Sequence, residues 1–250
     1  MTDQLVSGFD HLILAVRDLD HARARFAELG FTLSDRGSHP TRGTANFCVM
    51  FANGYIELLG VGRGDCQEQF LLDFLRRGEG FSALALAPRD IDAAYTALAQ
   101  RGLATAAPNT GSRVIERADG SGSPIRFRVL RAIDGALLPV RAFFCQHLDR
   151  DFVYAQGWMR HANGATRIRA VTIDVRALPE LDERLAAELG WSLAAHGDGL
   201  DVDLGSVVLR FRCAEADSIR AIELGMAEGA RLPQPLSICG AELSFARASR

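Results

Sequence analysis

The sequence lacks the features that mark several classes of protein. Its five cysteines are scattered and never form a C-x-x-C pair, so their spacing supports neither a disulfide framework nor a thiolate zinc site. No apolar run is long enough to cross a bilayer, and residues 1–7 lack the basic-then-apolar pattern of a signal peptide. The formal net charge of −3 gives no broad basic field for nucleic acid. With 48% hydrophobic residues, we expect a soluble, cytoplasmic globular protein without membrane or nucleic-acid partners.

What the sequence does contain is one short unit that recurs. In each copy a strand candidate precedes an amphipathic helix with one apolar face, and the helix stops at a glycine suited to a left-handed end. Asp18 and Asp90 are the predicted N-caps of the first two helices. The strand candidates are 8–16, 80–88 and 168–175, and the closing glycines are Gly30, Gly102 and Gly190.

Short strand candidates follow each helix, which indicates the α+β class with helices packed on mostly antiparallel sheets. A fourth strand, at 219–224, echoes the third copy, but no comparable helix follows it. The polar and aromatic stretch 148–166 has no clear period, and we expect the boundary between two halves there. The strand candidates after the helices are 44–51, 55–61, 113–118, 125–130, 137–146, 200–204 and 207–212, with turns at Asn53-Gly54 and 119–123.

His11 is the first candidate for chemistry. Strand alternation puts it on one face with Ile13, opposite the apolar Leu12. The matching positions of the second and third copies hold Ala83 and Ala170, so the framework itself does not need a histidine. The structural alternative is a partly buried histidine bonded to a backbone carbonyl.

Glu57 is the second candidate, because it interrupts an otherwise apolar strand. A carboxylate there must be paired, metal-bound or turned to water, since an isolated buried charge is costly. The corresponding strand of the third copy is expected to carry valine in its place. An edge-strand acid that faces solvent is the alternative.

Two further histidines could join these residues. His39 lies in a Gly-, Ser- and Pro-containing stretch that predicts a loop, and His147 follows the last strand of the second copy. Two imidazoles and one carboxylate form a facial set that leaves metal positions open for substrate. Either histidine could instead serve as a general base.

The strand pattern of 9–16 and 54–59 resembles the vicinal oxygen chelate superfamily, which includes glyoxalase I, extradiol dioxygenases and bleomycin-resistance proteins. The stretch 38–46 is similar to its glyoxalase-like branch. The resemblance implies paired βαβββ modules that enclose a cleft: residues 1–150 as a glyoxalase-like domain of two modules, and 151–250 as a degenerate second domain. It also implies a divalent metal ion (Zn, Ni, Fe, Mn or Co) held by His11, His39 and Glu57, with His39 and His147 as candidate catalytic groups and Asn46, Tyr55 and Gln146 in contact with substrate.

The second module departs from glyoxalase I, because Ala83 replaces its first-strand ligand and the last strand offers Gln146 and His147 instead of a plain glutamate. We therefore expect one site, in the first half. The leading hypothesis is a metal-dependent lyase or isomerase that acts on a small oxygenated or carbonyl compound, with ring cleavage less favoured. The alternatives are a drug-sequestering binding protein and, for the second half, a scaffold used only in assembly. A homodimer is left open.

Overall fold

The computed structural model describes residues 5–62, 64–116 and 122–247. In the first half, eight strands close into a barrel in the order β1-β4-β3-β2-β6-β7-β8-β5. The strands are β1 (Val6–Ala15), β2 (Gly37–His39), β3 (Thr44–Phe51), β4 (Gly54–Val61), β5 (Gly80–Pro88), β6 (Asn109–Glu116), β7 (Gly122–Arg131) and β8 (Ala142–His147).

The helices of the first two copies begin at the predicted aspartate caps, and the helices of all three copies end at the predicted glycines. The side chain of Asp18 accepts from the backbone N–H of His21, and that of Asp90 accepts from the N–H groups of Asp92 and Ala93. The three closing glycines all have positive φ angles, of 80°, 68° and 67°. The helices are α1 (Leu19–Glu28), α2 (Gln69–Arg77), α3 (Ile91–Gln100), α4 (Arg150–Val153) and α5 (Leu178–Leu189), with a 3-10 turn over Gln156–Met159. None of the helices in the described ranges is long and apolar enough to cross a membrane.

An approximate two-fold relates the two modules of the barrel. β1 pairs antiparallel with β5, with His11 opposite Ala85 and Ile13 opposite Ala83. This reciprocal pairing makes Ala83 the counterpart of His11, as the repeat predicts. Each module then adds its last strand in parallel, β4 beside β1 and β8 beside β5.

The second half is an open seven-stranded sheet in the order β10-β11-β12-β9-β13-β15-β14. The third copy of the unit supplies four of these strands, and the fourth copy, which has no helix, supplies three. Among the described residues no counterpart of β6 joins the two outermost strands, so the sheet does not close. Its strands are β9 (Ala165–Val175), β10 (Ala194–His196), β11 (Gly199–Asp203), β12 (Val208–Cys213), β13 (Ser218–Met226), β14 (Leu236–Ile238) and β15 (Ala241–Arg247).

Side chains of the first half and the connector tie the two halves together. Asn53, in the β3–β4 turn, donates through Nδ2 to the carbonyls of Ile168 and Ser206 and accepts the N–H of Ile168. His161 accepts the N–H of Thr32 at Nδ1 and lies 2.9 Å from the Met50 carbonyl at Nε2. One continuous hydrophobic core spans both halves. The division into domains at residue 150 stays a prediction.

Several sequence-based expectations for individual elements are wrong. Gly37–His39 is a strand and not a loop, because it pairs with both β3 and β6. The strand expected at 137–146 spans only Ala142–His147, because 137–140 form bends and residue 141 has no regular secondary structure. Helix α2 was not anticipated, although Phe70, Leu71, Phe74 and Leu75 recur at helical spacing. The turn expected at 119–123 lies in part outside the described residues.

Candidate functional site

A cavity of about 100 Å³ lies inside the barrel and is the place where most of the predicted site residues meet. Aromatic and aliphatic side chains form much of its wall. The ionisable residues that line it are His11, His39, His147, Glu57, Glu68, Arg42, Arg113, Arg131, Arg141 and Cys145.

His11 faces this cavity from β1, as alternation predicts, and is only 4% exposed. Its Nδ1 lies 2.5 Å from Oδ1 of Asp10, and its ring stacks on Tyr55 with 4.6 Å between centroids. An ionised carboxylate only accepts, so Nδ1 carries a proton and Nε2 is the ring nitrogen left to bind a metal ion. A carboxylate that fixes the tautomer in this way is the usual support of a metal-bound histidine.

Asp10 is a residue that sequence reasoning missed. Strict alternation would turn it away from His11, but β1 has a register irregularity between Phe9 and His11. Its Oδ1 also lies 3.1 Å from Nε2 of His147, so one carboxylate holds two histidines. Burial opposes ionisation of Asp10, but the attraction and hydrogen bonds of both imidazoles hold the pKa of its carboxyl far below the usual range.

Glu57 approaches His11 from β4. Its Oε2 lies 3.6 Å from His11 Nε2, and its Oε1 accepts from Nδ2 of Asn46 at 2.5 Å. Burial alone would raise the pKa of this carboxyl, but His11, His39 and the Asn46 hydrogen bond lower it overall. Glu57 is therefore a buried carboxylate, 7% exposed, that is directed at Nε2 of His11.

The spacing of these two donors fits a metal ion. Ligands about 2.0–2.2 Å from one ion and at a tetrahedral angle lie roughly 3.4 Å apart, close to the 3.6 Å between Nε2 and Oε2. A second group of potential ligand atoms, from Asp10, His11, Cys145 and His147, lies within 4.8 Å. There Asp10 is already bonded to both histidines, and burial raises the pKa of the Cys145 thiol well above its usual value.

His39 is buried on β2 and lines the same cavity. Its Nδ1 lies 3.1 Å from the hydroxyl of Thr44. Burial lowers the pKa of His39 to about 4; the charge of Glu57 opposes this shift, and those of Arg42 and Arg113 add to it. His39 is thus a neutral imidazole at pH 7, while its roles as ligand or base stay predictions.

The register of β8 shows what stands opposite the first-module ligands. Glu57 is paired with Ile13, and the two-fold counterpart of that pair is Ala85 with Phe143. Phe143 therefore occupies the position that corresponds to Glu57, and its ring lies edge-on to His11 at 5.7 Å. The second module offers neither histidine nor acid at the two matching positions.

The corresponding position in the third copy corrects an expectation. Ala170 matches His11 as predicted, but Thr172, the counterpart of Ile13, pairs with Arg210. Arginine, and not valine, replaces Glu57 there, and its Nη1 donates to Glu223. Counting from the Gly205-Ser206 turn points to Val207 or Val208, three or two residues before Arg210, because the turn does not fix how β12 pairs with β9.

The residues expected to contact substrate divide into two groups. Asn46 and Tyr55 line the cavity, where Tyr55 packs on His11. Gln146 lies on β8 between two inward-facing residues, Cys145 and His147, and is not part of the cavity wall. Alternation directs it to the other face of the strand, so the geometry does not support the expectation for Gln146.

Arg113 is a second functional candidate that the sequence reading missed. It lies on β6, is 6% exposed and donates through Nη1 to Sγ of Cys48 at 2.8 Å. The only sequence signal is its alternation with Ile115, which does not separate an inward arginine from a solvated one.

Comparisons with known proteins agree with this architecture. Residues 9–189 match the family described as "Glyoxalase-like domain". A hypothetical protein from Staphylococcus aureus superimposes with a TM-score of 0.80 at 19% identity, over 96% of this chain and 99% of that one. A mutant 4-hydroxymandelate synthase from Streptomyces coelicolor superimposes with a TM-score of 0.56 at 13% identity, over 90% of this chain and 72% of that one.

A third structure, a fusion of a xylose isomerase-like TIM barrel with 4-hydroxyphenylpyruvate dioxygenase, gives a TM-score of 0.53 at 13% identity, over 90% of this chain and 37% of that one. At these identities the likeness establishes the fold. No curated protein matches the sequence significantly.

Proposed function

Since the chain belongs to the glyoxalase-like domain family of the vicinal oxygen chelate superfamily, we propose that it is a metal-dependent enzyme that moves a proton on a small oxygenated or carbonyl compound. The observation that carries the proposal is the pair His11 Nε2 and Glu57 Oε2, which lie 3.6 Å apart on two buried side chains of the cavity wall, with Nδ1 of the histidine fixed by Asp10. His11 and Glu57 would hold the ion, and His39 is the expected third ligand. A bound divalent ion would polarise the substrate's oxygens and favour a developing oxyanion.

His147 is the better candidate for the proton-transferring group. Its Nε2 faces Asp10, which leaves Nδ1 as a buried atom without a partner at the cavity wall. The carboxylate of Asp10 would orient this imidazole and stabilise the cation that forms when Nδ1 takes a proton. His39 is less suited to this role because burial lowers its pKa to about 4, and the charges of Arg42 and Arg113 add to this shift while that of Glu57 opposes it.

Isomerisation needs only such a proton transfer between two atoms of the substrate, whereas a lyase additionally breaks a bond to a leaving group. We favour either reaction over ring cleavage. Tyr55 and Phe143 flank His11 and restrict the substrate to the space beside the two ligands. His11 and Glu57 are both buried, which strengthens their electrostatic interactions relative to those in water.

Cobalt binding tests the metal site. Protein stripped with EDTA is titrated with Co²⁺ and followed by calorimetry and absorption. We expect one ion per chain, binding at least about tenfold weaker in Glu57→Gln, and unchanged binding in Cys145→Ser and in the control Glu68→Gln. Absence of binding, or equal binding by Glu57→Gln, would refute the site. A thiolate-to-cobalt charge-transfer band lost in Cys145→Ser would instead assign the ion to Asp10, His11, Cys145 and His147.

Proton transfer is tested separately with small hydroxy and oxo compounds in D₂O. Proton NMR should show metal-dependent exchange of the hydrogen next to the carbonyl or hydroxyl carbon. His147→Gln should lose about a hundredfold or more of this rate while it keeps the metal. Exchange that is unaffected by the substitution would remove His147 from the mechanism.

A ligand-sequestering protein is the second candidate, and the apolar wall favours it. Phe70, Phe127 and Phe143 all line the cavity together with aliphatic side chains. The double variant His11→Ala, Glu57→Ala separates the two functions, because sequestration should survive it and metal-dependent exchange should not.

A further inference from the structure

The guanidinium of Arg113 is a buried charge inside the barrel, and one of its terminal nitrogens has no hydrogen-bond partner among the described residues. Its Nη1 donates to Cys48, but Nη2 is buried and has no partner. None of the carboxylates in the described parts of the chain forms an ion pair with it. A guanidinium stays protonated, and an uncompensated buried charge is costly to keep. Since the side chain lines the cavity, its missing partner would come from there.

Asn46 has an unused atom beside Arg113. The Asn46 atom that lies 2.5 Å from Oε1 of Glu57 is the donor Nδ2. Its Oδ1 is therefore an acceptor, and it too is buried without a partner. A Cβ placed on Gly37 would lie 2.3 Å from this oxygen and 2.6 Å from Cδ of Arg113. The glycine thus leaves room for both side chains, which lie next to each other.

Arg113 is the arginine of the cavity wall that has no ion pair within the described residues. Four arginines line the wall. Arg42 and Arg131 share the single carboxylate of Glu68, at 3.3 and 3.9 Å, and Arg141 lies 3.0 Å from a carboxylate oxygen of Asp134. The positive charge that is open to a bound anion is therefore that of Arg113.

We propose that Arg113 and Asn46 form the specificity subsite for a small hydroxy acid. The guanidinium would bind the carboxylate through Nη2, and Asn46 Oδ1 would accept a hydrogen bond from the adjacent hydroxyl. The inference rests on the proposed function, whose substrate class it narrows from oxygenated compounds in general to hydroxy acids. An oxo acid reaches the same two contacts only in its enol form, because a ketone has no proton to donate to Oδ1.

Calorimetry with three matched ligands on metal-free protein tests the subsite. The ligands are 3-phenyllactate, its amide, which lacks the charge, and 3-phenylpropionate, which lacks the hydroxyl. We expect phenyllactate to bind about tenfold to a hundredfold tighter than the amide and about fivefold tighter than phenylpropionate. Equal affinities for acid and amide would overturn the assignment, as would inorganic phosphate that binds as tightly as phenyllactate.

Variants of Arg113 test whether this residue is responsible for the discrimination between the acid and the amide. Arg113→Gln should bind acid and amide alike, whereas Arg128→Gln, a control on the outer surface paired with Asp92, should discriminate like the wild type. Arg113→Lys keeps the positive charge but lacks the planar guanidinium, so it should bind phenyllactate about tenfold more weakly than the wild type. This variant replaces Arg113→Gln in the test if Arg113→Gln does not fold. Discrimination that persists in both Arg113 variants would refute the proposal. Because no metal is present, a failure of the cobalt experiment leaves this result unaffected.

Discussion

Burial of His39 should couple the stability of the barrel to pH. The pKa of the folded imidazole is about 4, against an ordinary value of 6.5, because burial disfavours its charged form. Between these two values the unfolded chain binds more protons than the folded one. Stability is therefore complete above about pH 6.5 and falls as the pH is lowered toward 4.

The size of the effect follows from the two pKa values, which differ by about 2.5. The full loss is about 3 kcal/mol, of which about 2 kcal/mol falls between pH 7 and pH 5. In that interval Asp10 and Glu57 contribute little, because their pKa values are lowered in the folded protein and ordinary carboxyls titrate mainly below it. Burial also lowers the pKa of His161, which adds a loss of the same sign.

The assay compares His39→Gln with the wild type in urea unfolding at pH 7 and pH 5, with EDTA present and tryptophan fluorescence as the probe. The variant should lose about 2 kcal/mol less than the wild type between the two pH values. His21→Gln, an exposed histidine on α1, should lose as much as the wild type. Equal losses for His39→Gln and the wild type would refute the reasoning, because they would mean that His39 does not titrate differently in the two states.

Two further substitutions test the barrel register and the docking of the second half. Phe143→Glu places an acid at the two-fold counterpart of Glu57, so it should raise the Co²⁺ affinity at least about tenfold in calorimetry. Phe143→Gln is the control. An unchanged affinity in Phe143→Glu would contradict the assignment of Phe143 as the counterpart of Glu57. Asn53→Asp removes the Nδ2 donor to two carbonyls, so the free energy of unfolding in urea should fall by about 1–3 kcal/mol. An unchanged free energy of unfolding would mean that these hydrogen bonds do not stabilise the contact between the two halves.

The sequence predicted the parts of the fold that depend on local rules. The aspartate caps, the apolar helix faces and the left-handed glycines are set by neighbouring residues. The caps recur in the first two copies, and the faces and glycines recur in all three. His11 could be assigned to the inward face because β1 pairs with β5 without a register shift from His11 to Ile13. The parts that failed depend on pairings between distant residues.

Asp10, Arg113 and Arg210 illustrate those pairings. Asp10 joins His11 only because the β1–β5 register shifts at that position, which no local pattern announces. Arg113 could be recognised only when its buried Nη2 was seen to lack a partner. Arg210 was missed because an alignment that starts from a turn cannot tell which residue of β12 faces Thr172.

The edges of the open sheet in the second half determine how readily copies of this protein can aggregate by pairing strands. Without a counterpart of β6, β10 and β14 are its outermost strands, and each is three residues long. A long, flat edge would be a template on which another chain could add a strand, and repeated addition gives aggregates. The short edge strands limit that addition. The sheet is therefore open, but each of its edge strands is too short to be a good template for another chain. An insertion that lengthens β10 or β14 is accordingly the change that would bring insolubility.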